Sequence, residues 1–220
     1  MDLCDAWYSS SRNKLGLDSM DIKCGDIGFP YIEIENFYTS EELNLIWEEI
    51  DFLYYDHKIE RSTGSAKMSG KPLKSNRCIY LDELYKQNRH LSNILTLNRK
   101  LYSNNFKLFK SHKSWFFQSV QGTSDYTAFS FYENGDHYLP HKDAYYITSL
   151  FWTFKEPKKF VGGDFVFSQY DHKIEVQNNK MLIFPSQITH HVTPVLMDNE
   201  YCNQKMGRVC ISHFLQVVKN

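Results

Sequence analysis

The sequence has no long apolar run. Its longest apolar stretches are the length of a β-strand, far short of the roughly 20 residues that a membrane-spanning helix needs. The first residues, MDLCDAWYSS, also lack the basic-then-apolar pattern of a secretion signal. We therefore expect a cytoplasmic protein that has no membrane partner.

The chain also has almost no net charge. Its 25 Lys and Arg residues against 26 Asp and Glu residues give a formal charge of −1 at pH 7. Because the two signs are interspersed, no global field draws the protein to nucleic acid or to anionic lipid. We expect no nucleic-acid partner, and the composition leaves the oligomeric state open.

Paired cysteines are absent as well. The five cysteines are odd in number and include no CxxC pair. This pattern excludes a zinc-finger or disulfide-stabilised scaffold and suits free thiols in a reducing compartment.

The length and the change of texture along the chain predict the organisation. With 220 residues, the chain can bury a full core as one domain, which we expect to span residues 1–220. Residues 1–110 are predicted to form a helical support and residues 115–218 a β-rich core. The predicted fold class is α+β, mainly β.

One helix is well signalled in the support. Ser40 can cap it, and two acidic residues follow at the positive end of the helix dipole. Apolar residues then recur at helical spacing, and a second helical region is expected at about residues 81–102. The members of the first apolar stripe are Leu43, Ile46, Trp47, Ile50 and Leu53.

A basic segment separates the two helical regions. Residues 61–77, RSTGSAKMSGKPLKSNR, are rich in Ser, Gly and Lys and carry five positive charges without an acid. This composition predicts a mobile, solvated loop. A lid over the active site is the alternative interpretation.

From Trp115 onward the sequence consists of short runs rich in aromatic and β-branched residues, separated by polar, Gly or Pro turns. Seven or so such runs without intervening helices predict an antiparallel sandwich or barrel, of which the jelly roll is one form. The runs are YTAFSFY, YYITSLFWTF, DFVFS, HKIEV, KMLIFP, HHVTPV and RVCISHFLQVV.

Two segments of this half carry candidate metal ligands. His141 and Asp143 are two residues apart, so on a strand they project from the same face and can reach one ion. Alone this pattern is weak, because a surface histidine near an aspartate is the commoner case. A later strand brings His190 and His191, which point to opposite faces, and we favour His190 as the third ligand.

Two histidines and one carboxylate on one side of an ion leave the opposite positions free, as non-haem Fe(II) oxygenases require. Zinc is more often closed off by a fourth protein ligand. We expect the other histidines to be surface or hydrogen-bonded core residues: His57, His90, His112, His137, His172 and His213.

Several segments in order resemble the Fe(II) and 2-oxoglutarate oxygenases of the prolyl 4-hydroxylase-like type. These segments are YENGDHYLPHKD, VGGDFVF, KMLIFPSQITHHVTPV and GRVCISHF, which lie within about residues 126–217. A weaker likeness to the N-terminal helix of that group is visible in IENFYTSEELNLIWEEI.

The resemblance implies a double-stranded β-helix, with Fe(II) held by His141, Asp143 and His190. It also implies that Arg208 binds the distal carboxylate of 2-oxoglutarate, a role that suits a planar guanidinium. Tyr132 would touch the same carboxylate, although a core tyrosine is the alternative. Where relatives have a serine that assists this carboxylate, the present sequence has Cys210.

The function implied by the resemblance is hydroxylation of an amino-acid side chain, with prolyl the leading guess, in a peptide, a protein or a free amino acid. 2-Oxoglutarate would be decarboxylated to succinate, O2 consumed, and ascorbate is an optional reductant. One alternative is a nucleic-acid demethylase, but that group has a second arginine where this chain has Phe214. A noncatalytic jelly-roll binding module is the other alternative.

Overall fold

The structure is a computed structural model that describes residues 20–56, 67–102, 108–120, 122 and 124–216. The predictions for the N-terminal segment and for residues 61–66 lie outside the described residues. The boundary of the predicted single domain, residues 1–220, stays a prediction.

A seven-stranded antiparallel sheet forms the larger face of a jelly roll, which confirms the predicted fold class. Its strand order is β1-β2-β13-β9-β16-β7-β6. The members are β1 (Asp21–Asp26), β2 (Pro30–Glu35), β6 (Arg77–Tyr80), β7 (Ser124–Tyr132), β9 (Ile147–Thr153), β13 (Lys180–Pro185) and β16 (Arg208–Gln216).

A five-stranded sheet with the order β12-β11-β14-β8-β5 forms the smaller face. Its members are β5 (Lys74–Ser75), β8 (His137–His141), β11 (Phe165–Phe167), β12 (His172–Ile174) and β14 (His190–Val192). Two further pairs complete the described strands: β3 (Lys67–Met68) with β4 (Lys71–Pro72), and β10 (Phe160–Gly162) with β15 (Val195–Met197).

The helices cover the outer side of the large sheet. They are α1 (Ser40–Asp56), α2 (Leu81–Leu84), α3 (Asn93–Asn98), α4 (Leu108–Ser111) and α5 (Trp115–Gln118), with 3-10 turns at Arg89–Leu91, Arg99–Tyr102 and Asn199–Tyr201. None of the helices in the described residues is long and apolar enough to cross a membrane.

Alternation along β16 creates two separate cores. Val209 and Ile211 belong to the core between the large sheet and the helices, whereas Cys210 belongs to the core inside the jelly roll. Fully buried aromatic residues fill both cores, for example Phe131 outside and Phe165 inside. Burial of each of these side chains stabilises the fold by about 1.5–3 kcal/mol. Packing on both faces of β16 therefore fixes which of its side chains point into the jelly roll.

The cap of α1 differs from the prediction. Thr39 rather than Ser40 is the N-cap, because its Oγ1 accepts a hydrogen bond from Glu42 N–H at 3.2 Å and Glu42 Oε2 accepts one from Thr39 N–H at 2.9 Å. This reciprocal pair is a capping box, which satisfies two helix-end donors at once.

The N-terminal half is also less helical than predicted. Strands β1, β2 and β6 extend the large sheet. The helical region predicted at about residues 81–102 is confirmed, as a series of short helices and 3-10 turns. Of the predicted basic loop, residues 67–77 form short strands, because β5 pairs with β8 in the small sheet. Pairing with a neighbouring strand thus overrode the local Ser, Gly and Lys composition.

Candidate metal centre and active-site cavity

Three side chains converge where β8 and β14 meet. His141 and His190 lie opposite each other in the strand register, and Asp143 follows directly after β8. Asp143 N–H donates to the carbonyl of Ser186 at 3.0 Å, which fixes the turn that presents the carboxylate. One ligand atom from each of the three residues lies within 4.8 Å of the others.

Both histidines are held in the tautomer that a metal needs. Nδ1 of His141 lies 2.8 Å from the carbonyl of Leu139, and Nδ1 of His190 lies 2.8 Å from the carbonyl of Ile188. A carbonyl can only accept, so each Nδ1 carries the proton and each Nε2 presents a lone pair. These Nε2 atoms lie 3.7 Å and 3.5 Å from the carboxylate oxygens of Asp143.

Burial keeps both imidazoles neutral near pH 7. It lowers the pKa of His141 to about 4, with the neighbouring His190 adding to the effect, and it lowers the pKa of His190 to about 4. Burial raises the pKa of the Asp143 carboxyl, against the opposing influence of His141. A divalent cation would reverse that balance for the carboxylate, because it supplies the missing positive charge.

The carboxylate of Asp143 is oriented by a neighbouring hydroxyl. Thr148 Oγ1 donates to Asp143 Oδ2 at 2.7 Å and lies 2.8 Å from Ser186 Oγ. Such outer hydrogen bonds fix the direction in which a ligand points. His191, in contrast, faces the other way and contacts Ser168 Oγ through its Nδ1 at 2.8 Å, so His190 is the member of the pair that joins Asp143.

A cavity of about 260 Å³ lies over these three residues, between the two sheets. Its lining combines residues of the small sheet, among them Lys74 and Tyr138, with alternate residues of β7 and β16 on the large sheet. The ring of Tyr138 stacks on that of His141, with centroids 3.5 Å apart. The cavity is therefore accessible to a ligand on one side of the three converging side chains.

Arg208 lies in the same cavity and is completely buried. None of its three guanidinium nitrogens has a hydrogen-bond partner among the residues that the structure describes. Its charge rests against the rings of Tyr132 and Trp152, at 4.7 and 5.7 Å from their centroids. Cation–π contacts return about 0.5–2 kcal/mol, less than the several kcal/mol that burial of a charge costs.

The two other residues predicted for this region lie beside Arg208. Tyr132 is opposite Arg208 in the strand register, and both it and Cys210 line the cavity and are almost fully buried. Burial raises the pKa of the Tyr132 hydroxyl and that of the Cys210 thiol, although the charge of Arg208 opposes both shifts. Both groups are therefore neutral hydrogen-bonding groups at pH 7.

These residues fit an Fe(II) ion and an anionic chelator. Two imidazole nitrogens and one carboxylate oxygen converge from one side, which suits Fe(II) with open positions toward the cavity. The unpartnered guanidinium marks where a carboxylate of the chelator would lie. The structure thus brings together His141, Asp143, His190, Arg208 and Tyr132, and their roles as ligands stay predictions.

Some residues at the cavity carry no signal in the sequence. Lys74 falls in the predicted loop, and Tyr138 and Thr148 are ordinary strand residues by composition. Of the aromatic residues near the ends of the strands and helices, Tyr145 lines the cavity, whereas Trp115 is 75% exposed. Tyr132 and Cys210 are predicted from the sequence, whereas no local pattern indicates Lys74.

Comparison with known proteins identifies the domain. A profile described as the 2OG-Fe(II) oxygenase superfamily matches residues 127–216, which run from β7 to the end of β16 and contain the whole candidate site. Residues 127–216, less than half of the chain, are similar to the 2OG-Fe(II) oxygenase superfamily. The protein is therefore an oxygenase, and the expected iron and 2-oxoglutarate follow at the level of the family. No curated protein matches the sequence at a significant level.

Solved structures agree on the fold. A prolyl hydroxylase from Trichoplax adhaerens, in complex with a hypoxia inducible factor peptide, is 14% identical with a TM-score of 0.56, covering 97% of this chain and 89% of that one. A Pseudomonas putida prolyl-4-hydroxylase is 13% identical with a TM-score of 0.51, covering 92% and 96%.

A 2OG-Fe(II) oxygenase family oxidoreductase from Burkholderia pseudomallei is 13% identical with a TM-score of 0.54, covering 98% of this chain and 91% of that one. Identities this low carry the fold alone. The resemblance to oxygenases of the prolyl 4-hydroxylase-like type is confirmed at that level.

Proposed function

We propose that this oxygenase hydroxylates an amino-acid side chain, either a prolyl residue in a peptide or protein or a free amino acid. The observation that carries the proposal is the pairing of the His141, Asp143 and His190 cluster with the buried, unpartnered guanidinium of Arg208 in one cavity. The cluster of two histidines and one aspartate suits a metal ion with open coordination positions. The guanidinium of Arg208 suits one carboxylate of a dicarboxylate whose other end would bind that ion.

The protein's part in such a reaction is to bind and orient. His141, Asp143 and His190 would hold Fe(II), and Arg208 with Tyr132 would hold the distal carboxylate of 2-oxoglutarate. When bound, this pair supplies the oxidising chemistry, in which O2 is consumed and 2-oxoglutarate is decarboxylated to succinate. The stacked ring of Tyr138 restricts rotation of His141 and keeps water from that side of the imidazole.

The size of the cavity supports a small reacting group. About 260 Å³ is below the roughly 300–1,000 Å³ of typical ligand pockets, so a side chain of a substrate fits beside a short dicarboxylate. The complex of the Trichoplax enzyme with a peptide adds support for a peptide substrate, through likeness of fold.

No observation on the described residues favours the nucleic-acid demethylase alternative. The position where that group has a second arginine is Phe214, whose ring stacks on Tyr145 with centroids 4.4 Å apart and lines the cavity. An apolar ring at this position offers no donor to a phosphate or a base edge. The expectation that no nucleic acid is bound stays a prediction.

The test is an anaerobic titration of the purified apoprotein, first with Fe(II) and then with 2-oxoglutarate, followed by visible absorption. We expect the charge-transfer band of a chelated 2-keto acid to appear with a stoichiometry of one. His141→Ala should give no band, because two ligands hold Fe(II) far more weakly than three. His191→Ala is the matched control, since His191 faces away from Asp143.

Substrate turnover is then measured as succinate released in air, with and without candidate peptides and amino acids. A substrate that raises succinate release and gains one oxygen atom by mass spectrometry would support hydroxylation. A band without stimulation by any prolyl or amino-acid substrate would contradict the proposed substrate class. Absence of the band in the unmutated protein would contradict the metal assignment itself.

A further inference from the structure

A buried lysine lies beside the candidate metal centre. Lys74, in β5, is only 7% exposed, and its side chain lines the same cavity as His141 and Asp143. Pairing of Lys74 with Tyr138 in the strand register fixes its backbone at the edge of the small sheet. Lys74 is therefore held in place by the sheet, unlike a lysine in a solvated loop.

The ammonium group of Lys74 is not paired with any carboxylate of the described residues, although most of the side chain is buried. The contacts that this group makes are with two aromatic rings. Its Nζ lies 5.6 Å from the ring centroid of Tyr138 and 5.9 Å from that of Tyr80. These distances are at the outer limit of about 6 Å for a cation–π contact, where the interaction is weakest.

A second buried lysine, Lys180, has a carboxylate partner within the chain. Lys180, on β13, is 5% exposed and pairs with the carboxylate of Glu33 at 2.5 Å. Burial of an ammonium costs several kcal/mol unless an anion compensates it. Lys180 has that anion within the chain, whereas Lys74 has an open cavity in front of it.

Lys74 and Arg208 line the same cavity but belong to different sheets. Arg208 projects from the large sheet, next to Tyr132, whereas Lys74 belongs to the small sheet, next to Tyr138 and the metal ligands. The charge of Lys74 contributes to lowering the pKa of both His141 and Asp143, which agrees with this proximity. The cavity thus offers two cationic groups, one on each sheet.

We propose that Lys74 binds a carboxylate of the substrate and so selects substrates that carry an anionic group close to the carbon to be oxidised. The inference rests on the proposed function and narrows its substrate class to free or N-acylated amino acids and to acidic peptides. A salt bridge in a partly enclosed cavity favours an acid over the matching neutral amide. The amide keeps the shape of the acid but cannot compensate the ammonium charge.

The test compares binding of matched acids and amides by calorimetry, in anaerobic protein loaded with Fe(II) and 2-oxoglutarate. The probes are N-acetyl derivatives of the standard amino acids, each as acid and as carboxamide, and the peptide amides acetyl-Pro-Glu and acetyl-Pro-Gln. We expect at least one acid to bind about tenfold or more tightly than its amide, as a charged hydrogen bond provides. Lys74→Met should reduce that preference to less than about twofold, and Lys74→Arg should retain it.

Lys71→Met is the control, because Lys71 is exposed on β4 and should leave the preference unchanged. The proposal is wrong if no acid binds more tightly than its amide, or if Lys74→Met keeps the preference. It is also wrong if Lys74→Met instead weakens 2-oxoglutarate in the absorption titration, because the ammonium would then serve the co-substrate.

Failure of the proposed function can be recognised separately. The absorption band reports on Fe(II) and 2-oxoglutarate without any substrate, so its absence would contradict the metal assignment and not the role of Lys74. The calorimetric comparison is therefore repeated in metal-free protein. A preference for acids that depends on Lys74 there would support the anion site even if the band never appears.

Discussion

Strand β16 carries two buried nitrogen-containing side chains on opposite faces, and they differ in the partners that their nitrogens find. Arg208 faces the cavity, and its guanidinium has no hydrogen-bond partner among the described residues. His213 faces the helices and contacts Asp125 Oδ2 through its Nε2 at 3.1 Å. Nδ1 of His213 also lacks a partner among the described residues, but its other ring nitrogen is paired, whereas all three nitrogens of Arg208 are unpartnered and face a cavity. Buried polar groups are nearly always partnered in native proteins, so a wholly unpartnered guanidinium at a cavity indicates a position that binds an anion.

The carboxylate of Asp125, which contacts His213, also pairs with two arginines. Arg89 and Arg99 reach the two oxygens of Asp125 at 3.0 and 3.1 Å, in addition to the contact with His213. Burial alone would raise the pKa of Asp125, but the hydrogen bond and charge of His213, together with the two arginines, lower it to about 2. The contrast predicts that Arg208 serves binding and Asp125 serves stability.

The largest expected effect comes from Arg208→Met. Loss of a buried charged hydrogen-bond partner costs about 2–5 kcal/mol, so the affinity for 2-oxoglutarate should fall at least about 30-fold. The melting temperature without 2-oxoglutarate should stay the same or rise, because the substitution removes an uncompensated buried charge. The absorption titration and thermal unfolding of the same samples measure the two effects.

A structural role of Arg208 would give the opposite result. The variant would then melt at a lower temperature, while any folded fraction would bind 2-oxoglutarate with normal affinity. Either observation would remove the distinction between the two faces of β16.

Asp125→Asn tests the other face. The substitution leaves Arg99 and His213 without this anion, while Arg89 keeps its ion pair with Asp82. We expect the free energy of unfolding to fall by about 2 kcal/mol, below the 3–5 kcal/mol of fully enclosed pairs. Affinity for 2-oxoglutarate should not change, because Asp125 lies on the helix side of the sheet. A change in that affinity would show that the two faces are coupled.

The difference in stability between the unmutated protein and Asp125→Asn should depend on pH. The folded pKa of Asp125, about 2, is below its ordinary value of 3.8, so its contribution to stability is present above about pH 4 and is lost as the pH falls toward 2. The stability difference between the unmutated protein and Asp125→Asn should therefore shrink across that window. A difference that stays constant from pH 5 to 2 would contradict the low pKa.

A smaller effect is expected from Thr148→Val, beside the metal-ligand candidate Asp143. The hydroxyl of Thr148 donates to Asp143, and its loss leaves the carboxylate less firmly oriented. Outer hydrogen bonds of metal ligands contribute about 10- to 100-fold to affinity, and Ser186 remains nearby, so we expect about tenfold weaker Fe(II) binding. Unchanged Fe(II) affinity would show that the backbone alone positions Asp143.

The sequence predicts the candidate metal ligands and Arg208 better than the groups that distant parts of the chain contribute. Alternation on extended strands placed His141 with Asp143 on one face and separated His190 from His191, because strand periodicity is a local property. Arg208, in contrast, is predicted from the resemblance of the ordered motifs to the oxygenase family, and not from periodicity. Its register with Tyr132 also follows from β7 and β16 being neighbours in the large sheet.

The groups contributed by distant parts of the chain could not be predicted. Lys74 lies in a segment whose composition indicates a loop, and only its pairing with β8 brings it to the cavity. Thr39 replaced Ser40 as the cap because the reciprocal bonds with Glu42 outweigh a single hydroxyl. Long-range strand pairing and the competition between neighbouring caps are decided by the assembled fold, so local patterns indicate them poorly.

The smallest expected effect concerns Cys210, which lies two residues from Arg208 on the same face of β16. A thiol is a weak hydrogen-bond donor, and a hydroxyl in its place would contribute about 0.5–1.5 kcal/mol to a bound carboxylate. Cys210→Ser should therefore tighten 2-oxoglutarate about two- to tenfold in the absorption titration. Cys202→Ser, outside the cavity lining, is the control that should change nothing. If Cys210→Ser weakens binding instead, the thiol fills space that the hydroxyl leaves empty, and shape rather than hydrogen bonding limits the carboxylate side of the cavity.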